Sequence, residues 1–229
     1  MKSRILLVVV IVGLIVMARF SGAAEEGKWE KLFDGKTLSG WVTAKGEPVT
    51  KGWEVQDGAI VRTGHGGDIY TKEEYGDFEL KWEWKISPGV NSGVKYRMTN
   101  YTPGGLLGLE YQMEDDGEWK QERDRFSTAS IYEIYAPNKE KKLKPVGEWN
   151  ESKIVCKGSH IEHWINGAKV AEADTSTAEW KEHVAGSKFK KNPKFGENRS
   201  GKIMLQDHPG KDPKAGDKVW FRNMEIRKM

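Results

Sequence analysis

The 229-residue chain carries 37 basic and 34 acidic residues, a formal net charge of +3, and a single cysteine. One cysteine excludes an internal disulfide framework, so Cys156 is interpreted as a small apolar strand residue. Three of the basic residues lie within the first 24, which contain no acid. The rest of the chain is neutral, with both signs interspersed, which argues against nucleic acid or a membrane surface as a partner.

The chain begins with the pattern of an export signal. Lys2 and Arg4 precede an apolar run of 14 residues, from Ile5 to Ala18, and small residues follow as far as Ala24. Because ~20 apolar residues are needed to span a bilayer, this run favours a cleaved signal over a retained anchor. Residues 1–24 are therefore predicted to be a signal peptide. Residues 25–229 are predicted to be one periplasmic or secreted domain, with no membrane attachment after cleavage.

Short strands alternate with turn signals through the rest of the chain. In residues 77–86, apolar and charged side chains alternate, which predicts a strand with one buried face. Asp57-Gly58 and Asn166-Gly167 predict two-residue hairpins, because these pairs favour turns with positive φ at both positions. Residues 202–206 and 218–227 are interpreted as a long-looped terminal hairpin. Further strands are predicted at residues 93–98, 107–113, 129–134, 152–157, 160–165 and 168–173.

One stretch, residues 177–184, is predicted to be helical. Thr175 or Ser176 is the expected N-cap, Glu179 stands three residues after Ser176 as in a capping box, and Gly186 follows the helix. The strands recur about every 8 to 12 residues, without a repeat or a linker. The predicted fold class is therefore all-β, a two-sheet antiparallel sandwich with one short helix.

Polar side chains on the predicted strands indicate a working face. With a strand period of two, Gln206 and His208 share one side, and Arg222 lies in the predicted partner strand. Glu110 and Gln112 also share a side, with an exposed outer face as the alternative interpretation. Lys95 and Arg97 share a face by the same rule, although an arginine among aromatic residues can also be a stacked structural group.

Six short motifs resemble the 3-keto-disaccharide hydrolase family over residues 29–228. They are KLFDG from Lys31, NSG from Asn91, GLEYQ from Gly108, HWING from His163, GKIMLQDH from Gly201 and FRN from Phe221. The resemblance implies a jelly-roll sandwich similar to concanavalin A and the laminarinases, exported by bacteria. It also implies a carbohydrate substrate, a glycoside whose C3 hydroxyl has been oxidised to a ketone, and a functional link to a sugar 3-oxidoreductase.

The implied chemistry needs a base rather than a pair of glycosidase carboxylates. A C3 ketone makes the C2 hydrogen acidic, so a general base can remove it while the aglycone leaves C1, and later addition of water gives net hydrolysis. His208 is the expected base, although a loop histidine bonded to a local carbonyl is the alternative. Glu110 and Arg222 complete the expected catalytic set. The expected sugar-binding residues are Asn91, Arg97, Gln112, Gln206 and His65 in a rim loop, whereas His163 is expected to be a satisfied buried histidine.

Two other functions have some support in the sequence. A retaining glycosidase is excluded, because Glu110 and Glu114 would stand ~13 Å apart on a strand where ~5 Å is needed, and residues 115–117 indicate a turn. A non-catalytic, lectin-like carbohydrate-binding module remains the alternative, since ten tryptophans and seven tyrosines can supply stacking surfaces.

No cofactor is demanded by the sequence. Oxygen ligands from Glu110, Asp115 or Asp207, together with His208, can hold a divalent metal that polarises the ketone. No compact ligand spacing is present, so the metal prediction is left open.

Overall fold

The computed structural model describes residues 27–102, 104–118, 124–208 and 216–229. The predicted signal peptide lies outside these ranges, within which no helix has the length and apolar character needed to cross a membrane. The described strands are β1 (Trp29–Lys31), β2 (Trp41–Val42), β3 (Trp53–Gln56), β4 (Ala59–Arg62), β5 (Ile69–Thr71), β6 (Phe78–Ile86), β7 (Asn91–Tyr101), β8 (Gly105–Glu114), β9 (Asn150–Lys157), β10 (His160–Ile165), β11 (Ala168–Asp174), β12 (Lys202–Leu205) and β13 (Val219–Lys228). The described helices are a 3-10 turn (Asp124–Phe126) and α1 (Ala178–Ala185).

The described strands form two antiparallel sheets. The eight-stranded sheet has the order β11-β10-β9-β6-β13-β4-β3, with β1 also paired to β13, and the five-stranded sheet has the order β2-β5-β12-β7-β8. Side chains from both sheets enter one buried apolar cluster. The predicted all-β, two-sheet antiparallel sandwich is therefore confirmed.

The core follows from strand alternation. All five apolar residues of β6 are buried, while the charged residues between them are partly exposed. Trp82 packs edge-on against Tyr111 of the five-stranded sheet, with ring centroids 5.0 Å apart, and each such buried aromatic side chain contributes about 1.5–3 kcal/mol. Cys156 is fully buried in the same cluster. Burial raises the pKa of its thiol to about 12, so the thiol stays protonated and serves as an apolar group, as predicted.

The short-range predictions are confirmed at both two-residue hairpins. Asp57 and Gly58 have φ values of 49° and 76°, and Asn166 and Gly167 have φ values of 47° and 86°. The helix also forms where predicted, but its N-cap differs.

Thr177, rather than Thr175 or Ser176, caps α1, and its hydroxyl accepts from the Trp180 amide at 3.1 Å. Ser176 instead donates to the Asp174 carboxylate through its amide, at 2.8 Å, and through its hydroxyl. The predicted capping box is therefore wrong, because the Asp174 turn engages Ser176 before the helix begins.

The predicted terminal hairpin is also wrong. Strand β12 lies between β5 and β7 in the five-stranded sheet, whereas β13 lies between β6 and β4 in the eight-stranded sheet. The connection between them is thus a crossover from one sheet to the other. As a result, Arg222 and Gln206 belong to different sheets and do not form a common face.

Residues 129–134 do not form the predicted strand. Positive φ values at Ala129 (67°) and Glu133 (72°) bend the backbone into turns. The segment still follows the free edge of β8, because the Ala129 amide donates to the Gln112 carbonyl at 2.9 Å and the Tyr132 amide donates to the Glu110 carbonyl at 3.0 Å. We call residues 128–135 the edge segment.

Candidate active site

The five-stranded sheet has one face in the core and one facing away from the eight-stranded sheet, which we call the outer face. On β8, Leu109, Tyr111 and Met113 belong to the core cluster. Strand alternation therefore directs the polar residues between them, Glu110, Gln112 and Glu114, to the outer face. All three are nonetheless buried, at 2–5% exposure. Buried polar groups on the outer side of a sheet mark it as a candidate site.

One row of side chains across this face brings a lysine to a glutamate. In the strand register, Tyr70 lies opposite Met204, Met204 opposite Lys95, and Lys95 opposite Glu110. The Lys95 Nζ lies 3.6 Å from the Glu110 Oε2. The row therefore runs from an apolar half to a buried ion pair.

The next row contains a gap between two glutamines. Gly93 lies opposite Gln112, and the Gln206 amide donates to the Gly93 carbonyl at 3.0 Å. A Cβ added at Gly93 would stand 2.7 Å from the Glu110 Oε1. Because glycine has no side chain, a space remains there next to the Glu110 carboxylate. In the part of the chain that the structure describes, the Oε1 atoms of Gln112 and Gln206 are buried without a hydrogen-bond partner.

The third row holds the amides in place. Asn91 lies opposite Glu114. The Glu114 Oε2 accepts from the Asn91 Nδ2 at 3.2 Å and from the Gln112 Nε2 at 3.1 Å. Glu114 thus orients two of the predicted sugar-binding side chains.

A second acidic side chain, Asp68, reaches the outer face from just before β5. Ile69 is in the core cluster, whereas Tyr70 packs with Met98 and Met204 in a separate apolar cluster on the outer face. Alternation therefore places Asp68 on the outer face, and continuing the pairing of Ile69 with Leu205 by one residue places it opposite Gln206. The Asp207 amide donates to the Asp68 Oδ1 at 2.8 Å. Sequence reasoning did not identify Asp68, because it precedes a three-residue strand that was not predicted.

Asp207 anchors the loop that carries Asp68. Its carboxylate accepts from the Arg62 Nε and from the amides of Gly66 and Gly67, at 2.9 and 2.7 Å. The Arg62 and Asp207 side chains are only 3% and 5% exposed. This buried, fully engaged pair fixes the loop of residues 63–68 against the end of β12.

The pKa values of Glu110 and Asp68 are affected by the same neighbouring basic residues. Burial raises the pKa of Glu110, and the charges of Lys95, Lys188 and His208 oppose that rise. Burial also raises the pKa of Asp68, again opposed by Lys95 and His208. Lys95 pairs with Glu110, and the Asp207 amide that contacts Asp68 immediately precedes His208, so these four residues come from adjoining strands of one sheet.

The edge segment and the loop after α1 supply one wall. The Lys188 amide donates to the Glu133 Oε1 at 3.0 Å, and its Nζ lies 4.2 Å above the Tyr132 ring. Partial burial lowers the pKa of Lys188. Burial and the carboxylates of Glu110 and Glu133 raise the pKa of Tyr132 to about 12. The wall therefore places an ammonium group and a neutral phenol near Glu110.

A cavity of about 360 Å³ opens beside the first row. Its lining includes Tyr70 and Met98, with Leu106, Asn100 and Lys202 around them. Tyr70 belongs to both the cavity and the row that ends at Glu110, so the cavity extends the site along the sheet.

The structure brings together most of the predicted site residues. Asn91, Glu110, Gln112 and Gln206 line the outer face, and the charge of His208 acts on the acids there. Lys95, rather than Arg97 or Arg222, is the cation that pairs with Glu110.

Arg97 does not share the face of Lys95, contrary to the prediction. The register shifts between Tyr96 and Thr99, and Arg97 adopts a positive φ of 49°. A bulge of this kind reverses strand parity. The guanidinium is 1% exposed and donates to the carbonyls of Gly76 and Gly158 and to the Asp77 carboxylate.

Arg222 also lies away from the site, contrary to the prediction. It belongs to β13 of the eight-stranded sheet, pairs with Glu83 at 2.6 Å and stacks on Trp149, 3.9 Å from the ring centroid. It is therefore the stacked structural arginine of the alternative interpretation. His65 is exposed in the loop that Asp207 anchors.

His163 is a satisfied buried histidine, as predicted. Its Nδ1 lies 3.2 Å from the carbonyls of Ala129 and Ser130, and its Nε2 lies 2.8 Å from the Tyr96 hydroxyl. Carbonyls only accept, so the Nδ1 carries the proton and the Nε2 accepts from Tyr96. Burial lowers the pKa of His163 to about 4. The neutral ring thereby supports the edge segment from the core side.

Two of the candidate metal ligands, Asp115 and Asp207, are engaged in hydrogen bonds. The Asp115 carboxylate accepts from the amides of Gly89 and Gly117, which confirms the predicted turn, and the Asp207 carboxylate is engaged as described above.

Among the described residues, the acidic and histidine cluster with metal-compatible spacing is His160, Glu162 and Glu172, on the eight-stranded sheet. There the Lys169 ammonium already lies 3.2 and 2.6 Å from the two glutamates. This cluster contains none of the candidate ligands from the sequence, so a divalent metal held by Glu110, Asp115 or Asp207 with His208 stays a prediction.

Comparison with known proteins agrees with the resemblance in the motifs. A family model described as a 3-keto-alpha-glucoside-1,2-lyase-like domain matches residues 28–227. The 3-keto-disaccharide hydrolase of Bacteroides thetaiotaomicron is 32% identical over 231 residues, which cover 86% of this chain and 77% of that protein.

Two crystal structures of candidate glycosyl hydrolases from Parabacteroides distasonis are also similar. One is 35% identical with a TM-score of 0.77, covering 89% of this chain and 94% of the other. The second is 28% identical with a TM-score of 0.69, covering 89% and 100%. Together, the motifs, the fold and these matches show that the chain belongs to the 3-keto-alpha-glucoside-1,2-lyase-like family.

Proposed function

We propose that this protein cleaves 3-keto-glycosides at the outer face of the five-stranded sheet, by base-assisted elimination that becomes net hydrolysis when water adds. The observation that carries the proposal is the grouping of Glu110, Lys95, Asp68 and His208 on adjoining strands beside the space at Gly93. The family match and the name of the Bacteroides relative support a carbohydrate hydrolase.

His208 is the proposed base. A neutral imidazole offers a nitrogen lone pair that can take a proton from the carbon beside a ketone. Lys95 and Lys188 replace the two arginines as the groups that stabilise the enolate oxygen, because their charges act at Glu110 whereas the arginines are bonded elsewhere. An ammonium in a partly buried site stabilises developing negative charge more than it would in water.

The sugar is proposed to lie over Gly93. A hydroxyl group there can donate to the Oε1 of Gln112 or Gln206, which otherwise have no partner among the described residues. An unpaired buried acceptor costs about 1–3 kcal/mol, so pairing it on binding is favourable. The cavity beside Tyr70 is the proposed location of the aglycone.

The protein is also proposed to be exported. Residues 1–24 carry the apolar run and basic start of a signal. Amino-terminal sequencing of the protein recovered from the periplasm or medium would test this, with a start near Glu25 expected. A start at Met1 in a cytoplasmic fraction would contradict it. The substrate itself requires prior oxidation at C3, which is the proposed functional link to a sugar 3-oxidoreductase.

Aglycone release tests the proposed activity. The purified protein is incubated with a 3-keto-glucoside and with its unoxidised parent. Release from the keto sugar alone is expected, with loss in His208→Ala and no loss in the matched control His160→Ala, which lies on the eight-stranded sheet. Release from the unoxidised parent would instead indicate a carboxylate-pair glycosidase. Binding without any release would indicate the lectin-like module.

A further inference from the structure

The proposed elimination needs a proton donor as well as a base. When the C1–O bond breaks, its electron pair remains on the glycosidic oxygen, and an alkoxide is a poor leaving group in a partly buried site. A general acid placed at that oxygen typically accelerates such a step about 10²–10⁴-fold. The base cannot supply this proton at the moment it is removing another.

We propose that Asp68 is the catalytic acid that protonates the glycosidic oxygen as the C1–O bond breaks. The inference rests on the proposed function and adds to it a residue that sequence reasoning did not identify. It is based on the position of Asp68 across the site from Glu110 and on the hydrogen bond that orients its carboxyl.

The position of Asp68 follows from the strand register. Ile69 lies opposite Leu205, so continuing that register by one residue places Asp68 opposite Gln206. The Gln206 amide donates to the Gly93 carbonyl, and Gly93 lies opposite Gln112 on the strand of Glu110. Neighbouring strands are ~4.8 Å apart, so the backbones that carry the two acids are ~14 Å apart, with the space at Gly93 between them. A sugar ring over Gly93 therefore has one carboxyl on each side.

The orientation of Asp68 is set by one backbone amide. The Asp207 amide donates to the Oδ1 at 2.8 Å, which leaves the Oδ2 as the atom to carry the proton. The Asp207 side chain is itself held by Arg62 and two glycine amides, so the position of the Asp207 backbone amide is fixed. A donor that must act at one oxygen of a bound substrate benefits from such a rigid support.

The charges around the two acids distinguish their roles. Glu110 has the Lys95 ammonium at 3.6 Å and the Lys188 charge close by, which favour its ionised form. Around Asp68, burial and the carboxylate of Asp207 favour the protonated form. The hydrogen bond from the Asp207 amide, Lys95 on β7 and the charge of a protonated His208 oppose them, and Tyr70 is the neighbouring neutral group on β5. Glu110 is thus engaged in an ion pair, whereas Asp68 is oriented by a neutral amide, which suits it to proton donation.

The step balances in protons and electrons. His208 takes the C2 proton, and the C2–H electron pair becomes the C1=C2 double bond conjugated with the ketone. The C1–O pair stays with the glycosidic oxygen, which takes the Asp68 proton. The products are an unsaturated 3-keto sugar and the free aglycone, leaving an imidazolium at His208 and a carboxylate at Asp68, between which a proton returns through water.

The test compares leaving groups. Asp68→Asn is assayed on methyl 3-keto-glucoside, whose alkoxide needs a proton, and on the 4-nitrophenyl analogue, whose phenolate does not. We expect kcat/KM to fall about 10²–10⁴-fold for the methyl substrate and only a few-fold for the nitrophenyl substrate. Asp34→Asn makes the same chemical change at an exposed turn and should affect neither. Asp68→Glu retains a carboxyl and should regain part of the methyl activity, which guards against misfolding of the asparagine variant.

Other outcomes overturn the role of Asp68. Equal losses on both substrates would show a binding or structural contribution instead of acid catalysis, and unchanged rates on both would remove Asp68 from the mechanism. These results leave the proposed function intact if His208→Ala loses both activities. No release from either keto substrate by the unmutated protein would overturn the proposed function itself, and the acid role with it.

Discussion

The buried imidazole of His163 should make the protein less stable as the pH falls below neutrality. Its pKa is about 4 in the folded protein, against an ordinary value of 6.5. Between these values the unfolded chain binds a proton that the folded protein does not. The stabilisation by neutral His163 is thus fully present above pH 6.5 and is lost as the pH falls towards 4.

The size of the effect follows from the difference in pKa. Since one pKa unit corresponds to about 1.4 kcal/mol, the whole window is worth about 3 kcal/mol, of which about 2 kcal/mol is lost between pH 7.5 and 5.0. Glu110 and Asp68 have raised pKa values, so their contributions change in the opposite direction. The His163 term must therefore be isolated by comparison with a variant.

Urea unfolding at a series of pH values measures this term. We expect the free energy of unfolding of the unmutated protein to decline more steeply with falling pH than that of His163→Asn, with the two curves converging by about 2 kcal/mol from pH 7.5 to 5.0. His160→Asn is the matched control at a partly exposed position, with a slope like that of the unmutated protein. Parallel curves for the unmutated protein and His163→Asn would refute the reasoning.

Three further substitutions test the site and its support. Gly93→Ala should displace the Glu110 carboxylate and lower kcat/KM about 10-fold or more without changing the urea midpoint. In the control Gly186→Ala the added Cβ is 3.6 Å from the nearest atoms, so kcat/KM and the urea midpoint should both stay the same. Asp207→Asn leaves a buried arginine without its counter-charge and should lower the free energy of unfolding by about 3–5 kcal/mol. Arg222→Ala breaks a partly exposed ion pair, so it should lower the free energy of unfolding by under about 1 kcal/mol and leave kcat/KM unchanged. A large loss of activity would show that Arg222 belongs to the active site.

The features that the sequence predicted well depend on neighbouring residues. The alternation of residues 78–86 and the turn pairs at Asp57 and Asn166 specify local backbone geometry and one buried face. Strand parity likewise located Glu110, Gln112 and Gln206 on one face, because β8 is regular there and Gln206 continues the bonding of β12.

The features that it missed depend on distant partners. The terminal hairpin failed because β12 and β13 each pair with strands more than 100 residues earlier, and a polar loop fits a crossover as well as a hairpin. Residues 129–134 are apolar enough for a strand, but two positive φ values turn them along the edge of β8. In both cases the local sequence is compatible with more than one structure, and contacts with distant residues determine which one forms.

Two site residues show the same limit. Arg97 was misplaced because a bulge, which parity counting cannot foresee, turns its side chain to Gly76 and Asp77. Asp68 was missed because its position depends on an amide 139 residues away, that of Asp207. The signal available was modest, an acidic residue directly after the glycines of residues 64–67 and before an apolar pair.

The last two strands also determine when the protein can fold. Strand β12 is the link between β5 and β7, and β13 is the link between β4 and β6, so each sheet is divided in two until its final strand is present. A nascent chain on the ribosome cannot close the five-stranded sheet before residues 202–205 emerge, or the eight-stranded sheet before residues 219–228 emerge. Folding is then dominated by pairings between residues far apart in sequence, which makes it slow. The sandwich, and the site on its outer face, therefore cannot form from the first 200 residues alone.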